Sequence, residues 1–255
     1  MSDKVKPHLV NGGQVERDHQ RVRLVLPPCT AEAYCDAQID DYDHALPRTF
    51  HNRPPRCLHV RARFSHDADA LKGTAGFGFW NHPFARDGRV LAPPLAVWFF
   101  FRSQESNLKL TPRSAGCGFA AMALDSRSSI GAANKFTRAL VWAGNAALRL
   151  PLVRSAALWA GRRLMQAAEA PLNHLRLTDW HDYRLLWQPG RADFWVDGQK
   201  VLSAAAPRQP LGFVAWVDNY RAAAAEEAAY GFHFVVTPHG QWLELEWLPD
   251  SDIRY

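Results

Sequence analysis

The sequence is short of the features that mark several specialised classes of protein. It has four cysteines in 255 residues, with no C-x-x-C pair and no zinc spacing, so we expect buried free thiols and no metal. It has no internal repeat and no apolar run of about 18 residues that would cross a membrane. Its first residues lack the roughly 7–15-residue apolar run of a signal peptide, so we expect a cytoplasmic protein.

What the sequence has in quantity is aromatic residues. Ten Trp, fourteen Phe and six Tyr, within 47% hydrophobic residues, suit a β-sheet protein with an aromatic face or groove. A chain of this length is compatible with one large all-β domain. Residues 1–20 are polar and aperiodic, which predicts a flexible N-terminal arm before a single domain over residues 21–255.

Alternating polar and apolar residues predict strands along most of that domain. The clearest signal is a meander over residues 180–202, with a Pro-Gly turn at 188–191 and a tight Asp197-Gly198 turn. The other predicted strands are residues 22–26, 34–42, 57–64, 73–81, 95–101, 118–124, 210–220, 232–236 and 241–248.

The segment from Trp180 to Gly198 reads W-H-x-Y-x-x-x-W-x-P-x-x-x-x-F-x-V-D-G. It resembles the corresponding segment of the laminarinase-type (family 16) glycoside hydrolases and their concanavalin A-like relatives. The resemblance extends from about Tyr34 to Trp247. It implies an all-β fold, a concanavalin A-like jelly-roll sandwich of two antiparallel sheets.

The same resemblance argues against the activity of that family. Retaining hydrolysis needs two carboxylates about 5–5.5 Å apart, which the family carries on one strand as E-x-D-x-E or E-x-D-x-x-E. At the matching positions this sequence has Ala96, Trp98 and Phe100, none of which ionises. The nearest acid, Glu105, lies beyond the strand.

Aromatic and polar residues near the expected groove are the candidate ligand-binding residues. Glycines alternate with aromatics in residues 73–81, which suggests a strand that another backbone or a ligand approaches closely. Asp218 and His82 are the candidate acid/base residues; Asp-Asn turn chemistry and an ordinary loop histidine are the structural alternatives. The acidic strand end Gln38, Asp40, Asp41 and Tyr42 matches no calcium loop. The candidate ligand-binding set is Phe77, Phe79, Trp80, Asn81, Trp98, Phe100, Trp216, Asn219 and Tyr220, with core packing as the alternative for the aromatic members.

A segment near residues 131–171 has apolar residues at helical spacing and predicts a helical insert, divided at Pro151. It holds six basic residues and one acid, so its net charge of +5 equals that of the whole chain. The insert is interpreted as a lid, a surface for anionic membrane, an oligomer contact, or a helix pair packed on the sandwich. The residues for a lid or membrane role are Arg138, Trp142, Arg154, Trp159, Arg162 and Arg163.

Two functional hypotheses follow, with a partner-binding module as a third. The first is a non-hydrolytic protein that binds an apolar or amphiphilic small molecule in an aromatic groove and transforms it by acid/base chemistry, such as cyclisation or isomerisation. The second is a carbohydrate-binding or glycoside hydrolase-like protein for a β-glucan-type polysaccharide. The sequence indicates no cofactor and no nucleic-acid motif, and it leaves peripheral contact with the inner face of a membrane open.

Overall fold

The computed structural model describes residues 5–18, 20–84, 91–111, 114–126, 165–222 and 233–252. These residues form β-strands and loops, and they contain no helix. In chain order the strands are β1 (Lys6–Val10), β2 (Gln14–Asp18), β3 (Arg21–Leu26), β4 (Asp36–Asp40), β5 (Arg56–Phe64), β6 (Thr74–Trp80), β7 (Ala96–Arg102), β8 (Gly118–Ser126), β9 (Met165–Pro171), β10 (His181–Gln188), β11 (Arg191–Val196), β12 (Gln199–Ala205), β13 (Gly212–Asp218) and β14 (Gln241–Trp247).

The strands form two seven-stranded sheets with antiparallel pairing throughout. The first sheet has the order β1-β4-β13-β6-β7-β8-β9, and the second has the order β12-β11-β10-β5-β14-β3-β2. Strands distant in sequence lie side by side, as β13 does between β4 and β6. This confirms the all-β, jelly-roll-like sandwich that the sequence predicts.

The core lies between the two sheets and is rich in aromatic rings. Phe77 and Phe99 of the first sheet contact Tyr183 of the second at ring-centroid distances of 5.2 and 5.0 Å. Phe79 contacts Trp187 at 5.3 Å. Because side chains alternate along a strand, the residues between these core positions point to the opposite face of the first sheet. We call that opposite face the outer face of the first sheet.

The meander has the geometry that its sequence predicts. β10 pairs with β11 from Tyr183 to Gln188, and β11 pairs with β12. Asp197 and Gly198 have φ of 50° and 77°, the positive values that a type I′ hairpin turn requires. The four cysteines are free; Cys29 and Cys35 are buried as expected, whereas Cys57 and Cys117 are half-buried.

Three expectations need correction. The arm predicted over residues 1–20 contains β1 and β2, which extend one edge of each sheet. Residues 165–171, predicted as the end of a helical insert, are strand β9, and residues 127–164 lie outside the described residues. Within residues 233–236 there is an isolated bridge from Phe234 to Tyr220 instead of a strand.

The physical reason for the β9 correction lies in the composition of residues 165–171. This stretch is rich in alanine, which has a high helix propensity, but pairing with β8 along the whole length of β9 outweighs that weak local preference. No helix in the described part of the chain is long and apolar enough to cross a membrane.

Candidate functional site

The outer face of the first sheet carries an aromatic cluster at its centre. Trp98 and Trp216 lie 5.2 Å apart, Trp98 and Phe100 lie 4.9 Å apart, and Trp80 and Trp98 lie 5.6 Å apart, measured between ring centroids. Trp98 and Trp216 are only 8% and 7% exposed, whereas Trp80 is half-buried. Solvent therefore reaches this cluster at its Trp80 end.

Alternation divides the predicted aromatic residues between the two faces of this sheet. Trp80, Trp98, Phe100 and Trp216 belong to the outer-face cluster. The assignment of Phe77 and Phe79 as ligand-binding residues is wrong, because both are 0% exposed in the core between the sheets.

One end of the outer face carries two buried carboxyl groups on neighbouring strands. Asp36 of β4 is directly opposite Asp218 of β13 in the antiparallel register. The Asp218 carboxylate accepts hydrogen bonds from the Thr74 hydroxyl at 2.7 Å, the Thr74 amide at 3.1 Å, the Tyr220 amide at 3.0 Å and the Tyr34 hydroxyl at 3.0 Å. The Asp36 carboxyl group has no comparable set of hydrogen-bond donors, and its Oδ1 is buried without a partner among the described residues.

Burial controls the protonation of this pair. It raises the pKa of Asp218 to about 6, although the hydrogen bonds to Thr74, Tyr220 and Tyr34 lower that pKa. Burial also raises the pKa of Asp36 well above its usual value, and the charges of Asp218 and Asp40 add to that rise. The pair therefore keeps a proton to higher pH than two exposed carboxyl groups would.

Asn219 positions this end of the face and does not line it. Its side-chain amide donates to the carbonyl oxygens of Thr30, Ala33 and Val235, and its Oδ1 accepts from the Cys35 amide at 2.8 Å. These bonds hold the loop that carries Tyr34. The assignment of Asn219 as ligand-binding is therefore wrong, since its amide group is fully buried and engaged by the backbone.

The opposite end of the outer face carries imidazole groups around Asp40. The Asp40 carboxylate accepts from Gln38 Nε2 at 2.7 Å and contacts His44 Nε2 at 2.9 Å. The His44 ring stacks on His8 at 3.9 Å and lies 5.4 Å from His82. The Tyr42 hydroxyl accepts from Trp80 Nε1 at 2.7 Å, which connects this end to the aromatic cluster.

His82 lies at this end in an unusual state. Its φ of 37° is in the left-handed region, its ring stacks on Trp80 at 4.7 Å, and its Nδ1 has no partner among the described residues. Burial and the charges of Arg48, His44 and His8 lower its pKa to about 3. At neutral pH an imidazole with so low a pKa is uncharged and a weak base, which suits a hydrogen-bonding role better than general-base catalysis.

A buried ion pair lies beside the aromatic cluster. Arg102 Nη2 contacts Glu169 Oε1, and Arg102 Nη1 donates to the Leu108 carbonyl oxygen at 3.0 Å. The side chains are 0% and 4% exposed. Arg102 Nε and Glu169 Oε2 have no partner among the described residues.

The remaining predicted residues have structural contacts or lie elsewhere. Asn81 donates to the Pro93 carbonyl oxygen at 2.8 Å and accepts from the Leu95 amide at 3.0 Å, so it fixes a loop. Tyr220 is packed against the aromatic cluster. No group of metal-ligating residues occurs in the part of the chain that is described. Arg138, Trp142, Arg154, Trp159, Arg162 and Arg163, predicted for a lid or membrane role, lie outside the described residues.

Sequence reasoning missed Tyr34, Asp36, Thr74, Arg102 and Glu169. A signal existed for Asp36, because Asp36, Gln38 and Asp40 alternate along one strand and must share a face. No comparable signal existed for Glu169. Its segment is predicted to be helical, and a residue in a helix is not assigned to either face of a sheet.

The outer-face positions of β7 carry no acid. Ala96, Trp98 and Phe100 lie on this face, and Arg102 follows them. Two clefts among the described residues lie elsewhere: one near Asp125 and Arg208, and one of about 410 Å³ beside Trp195 on the second sheet. Neither provides an apolar cavity in the aromatic cluster.

Comparisons with known proteins give structural neighbours only. No protein-family model and no curated protein matches the sequence. The Bacillus licheniformis β-glucanase is 12% identical with a TM-score of 0.45, covering 97% of this chain and 94% of its own. A prokaryotic β-1,3-1,4-glucanase (lichenase) from a mouse hindgut metagenome is 12% identical with a TM-score of 0.47, covering 97% and 92%.

A third neighbour is the GlcNAcα1-4Gal-releasing endo-β-galactosidase of Clostridium perfringens. It is 9% identical with a TM-score of 0.44, and the alignment covers 93% of this chain but 54% of the galactosidase. This chain therefore spans about half of that enzyme.

Proposed function

We propose that the outer face of the first sheet binds a glycan. Five buried polar atoms that have no partner among the described residues support this proposal. They are Asp36 Oδ1, His82 Nδ1, Trp98 Nε1, Arg102 Nε and Glu169 Oε2, and all five side chains lie on or beside this face.

The chemistry of these atoms favours a polyhydroxylated ligand over an apolar one. Roughly 90% or more of buried polar groups in proteins have a hydrogen-bond partner, and each one left without costs about 1–3 kcal/mol. Trp98 and Arg102 offer donors, while Asp36 and Glu169 offer acceptors. Sugar hydroxyls both donate and accept, so they can satisfy both kinds, whereas an apolar molecule would satisfy neither.

The aromatic cluster supplies the second element of sugar recognition. Indole rings provide flat apolar surface next to a polar edge, and Trp80 is half-buried beside His82 at the solvent-accessible end. We therefore place the entry for the ligand at the Trp80 end. Since β7 carries no carboxylate on this face, the proposed activity is binding, without the same-strand retaining mechanism.

Isothermal titration with β-1,3-glucan and mixed-linkage β-1,3-1,4-glucan oligosaccharides tests the proposal. Trp98→Phe keeps an aromatic ring and removes the N–H donor, so we expect affinity to fall about tenfold. The control is Trp242→Phe on the outer face of the second sheet, where Trp242 stacks with Arg23 at 4.7 Å. We expect this control to bind like the wild type.

Two outcomes would overturn the proposal. One is the absence of saturable binding across a glycan array that includes neutral and amino sugars. The other is a stoichiometric lipid-like molecule released when the purified protein is denatured in organic solvent and identified by mass spectrometry. That second outcome would restore the apolar-ligand hypothesis.

A further inference from the structure

The Asp36–Asp218 pair lacks a cation. The row across the first sheet that contains the pair runs Asp36, Asp218, Thr74, Arg102 and Gly118. Arg102 is the basic residue of this row, but its guanidinium bonds to Glu169 and to the Leu108 carbonyl oxygen. Among the described residues, no lysine, arginine or histidine forms an ion pair with Asp36 or Asp218.

A separate observation indicates a polar ligand elsewhere on the same outer face. Trp98 Nε1 is buried without a partner among the described residues, and Trp98 is 8% exposed. Its ring contacts Trp216, which is two residues before Asp218 on the same face of β13. The orphaned indole donor and the orphaned Asp36 Oδ1 are therefore both on the outer face, with Trp98 in the cross-strand row of Asp40 and Asp36 four residues before Asp40 on β4.

We propose that Asp36 and Asp218 form a subsite for an ammonium group, so that the glycan contains amino sugars that are not acetylated. This inference rests on the glycan-binding function proposed above and specifies its ligand class. An ammonium group has three N–H donors, and its positive charge would supply the cationic partner that the two carboxyl groups lack. Asp36 Oδ1 is the acceptor that it would engage first. Asp218 contributes mainly charge, because neutral donors already occupy its oxygens.

The charge balance of binding predicts a proton release. Without the ligand, burial raises the pKa of both carboxyl groups, and the charge of Asp218 raises the pKa of Asp36 further, so the pair keeps a proton to higher pH than two exposed carboxyl groups would. Binding of an R–NH₃⁺ group favours the ionised pair, so the carboxyl proton moves to solvent while the ammonium keeps its own. Affinity should therefore rise between about pH 5 and pH 7. The other titratable groups that interact electrostatically with the pair are Asp40, Tyr34, Tyr42 and Tyr220.

Four tetrasaccharides of similar size test the subsite by isothermal titration at pH 7. They are the β-1,4-linked tetramers of glucosamine, N-acetylglucosamine and glucose, and a tetrameric uronic acid. We expect the glucosamine tetramer to bind at least tenfold tighter than the glucose tetramer, and the uronic acid tetramer to bind weakest. Non-specific attraction does not explain this order, because the protein itself carries a formal charge of +5.

Asp36→Asn is the specific variant, and Asp43→Asn at an exposed position is its matched control. We expect Asp36→Asn to bind glucosamine and glucose tetramers within about twofold of each other, and Asp43→Asn to keep the wild-type preference. Titration of the wild type in buffers with different ionisation enthalpies measures the proton release directly and does not depend on the folding of any variant.

The outcomes separate this inference from the function on which it rests. Equal affinity of the wild type for glucose and glucosamine tetramers would show that the ammonium subsite is wrong while glycan binding stands. A glucosamine preference that Asp36→Asn retains, or that releases no proton, would also overturn the subsite. No binding to any of the four tetramers or to the glycan array would remove both proposals.

Discussion

Asp36 keeps its carboxyl group buried opposite Asp218, whereas a typical buried acid has a cation or several donors beside it. A carboxyl whose pKa is higher in the folded than in the unfolded protein holds its proton more tightly when folded. Its contribution to stability is complete below the unfolded pKa and is lost as pH rises through the folded pKa. For Asp218, a rise from 3.8 to about 6 corresponds to about 3 kcal/mol.

We predict that Asp36→Asn raises the stability of the protein at pH 8 and leaves it nearly unchanged at about pH 4.5. The amide has no charge to desolvate, so the expected gain at pH 8 is about 1 kcal/mol, or roughly 3 °C in Tm. Thermal unfolding of wild type and variant from pH 4.5 to pH 8 measures the difference.

The quantity to compare is the difference in stability between wild type and Asp36→Asn at each pH, because His82 gives both proteins a pH dependence of the opposite sign. Its pKa falls from 6.5 to about 3 on folding, so the stability it contributes is present above pH 6.5 and is lost as pH falls. Asp43→Asn serves as the control at an exposed site. Parallel pH profiles for wild type and Asp36→Asn would contradict the prediction.

At the scale of the element, β6 shows why glycines alternate with aromatic residues. A Cβ added at Gly76 would lie 2.9 Å from Trp216 Cη2 and 2.3 Å from the Phe99 carbonyl oxygen. A Cβ at Gly78 would lie 2.5 Å from Trp98 Cα, and Gly78 has a φ of 152°. The close approach that the sequence suggests is therefore made by the neighbouring strands β7 and β13.

We predict that Gly78→Ala destabilises the protein by about 3 kcal/mol or more, because the clash is with backbone atoms that cannot move without breaking the pairing of β6 and β7. The matched control is Gly240→Ala, where the nearest atom to an added Cβ is the Leu26 carbonyl oxygen at 3.5 Å. Urea unfolding compares the two variants. Equal stabilities of Gly78→Ala and Gly240→Ala would be inconsistent with the tight contact.

At the scale of the whole molecule, the N-terminal segment with β1 and β2 connects the edges of the two sheets. β1 pairs with β4 in the first sheet, and β2 pairs with β3 in the second. β1 is important to the first sheet because it pairs with the backbone of β4, the strand that carries Asp36 and Asp40. A flexible arm would leave that edge open.

We predict that deletion of residues 2–18 lowers Tm by about 10 °C or more and accelerates hydrogen exchange in β4, since the deletion removes a strand from each sheet. Leu9→Gln, at a side chain that is 46% exposed, is the control and should change neither quantity. Unchanged protection of the β4 amides in the shortened protein would contradict this account.

The sequence by itself determined the strand pattern, the jelly-roll resemblance, the Asp197-Gly198 turn and the grouping of residues that share a face. These depend on local rules: side chains alternate along a strand, and a tight turn needs positive φ. Alternation separates Phe77 and Phe79 from Trp98 and Trp216 only when pairing and register are known, so the tertiary structure decided which group forms the core.

Only the tertiary structure brought together the residues of the candidate site. Asp36 and Asp218 are far apart in the sequence and meet through the pairing of β4 with β13. If Asp218 and Asn219 formed an ordinary turn, Asn219 would be exposed. In the structure its side-chain amide donates to three backbone carbonyl oxygens of segments distant in sequence. Glu169 reaches Arg102 because β9 is a strand, a state set by pairing with β8 instead of local propensity. Long-range pairing fixes register and burial, and burial decides which polar groups remain without partners.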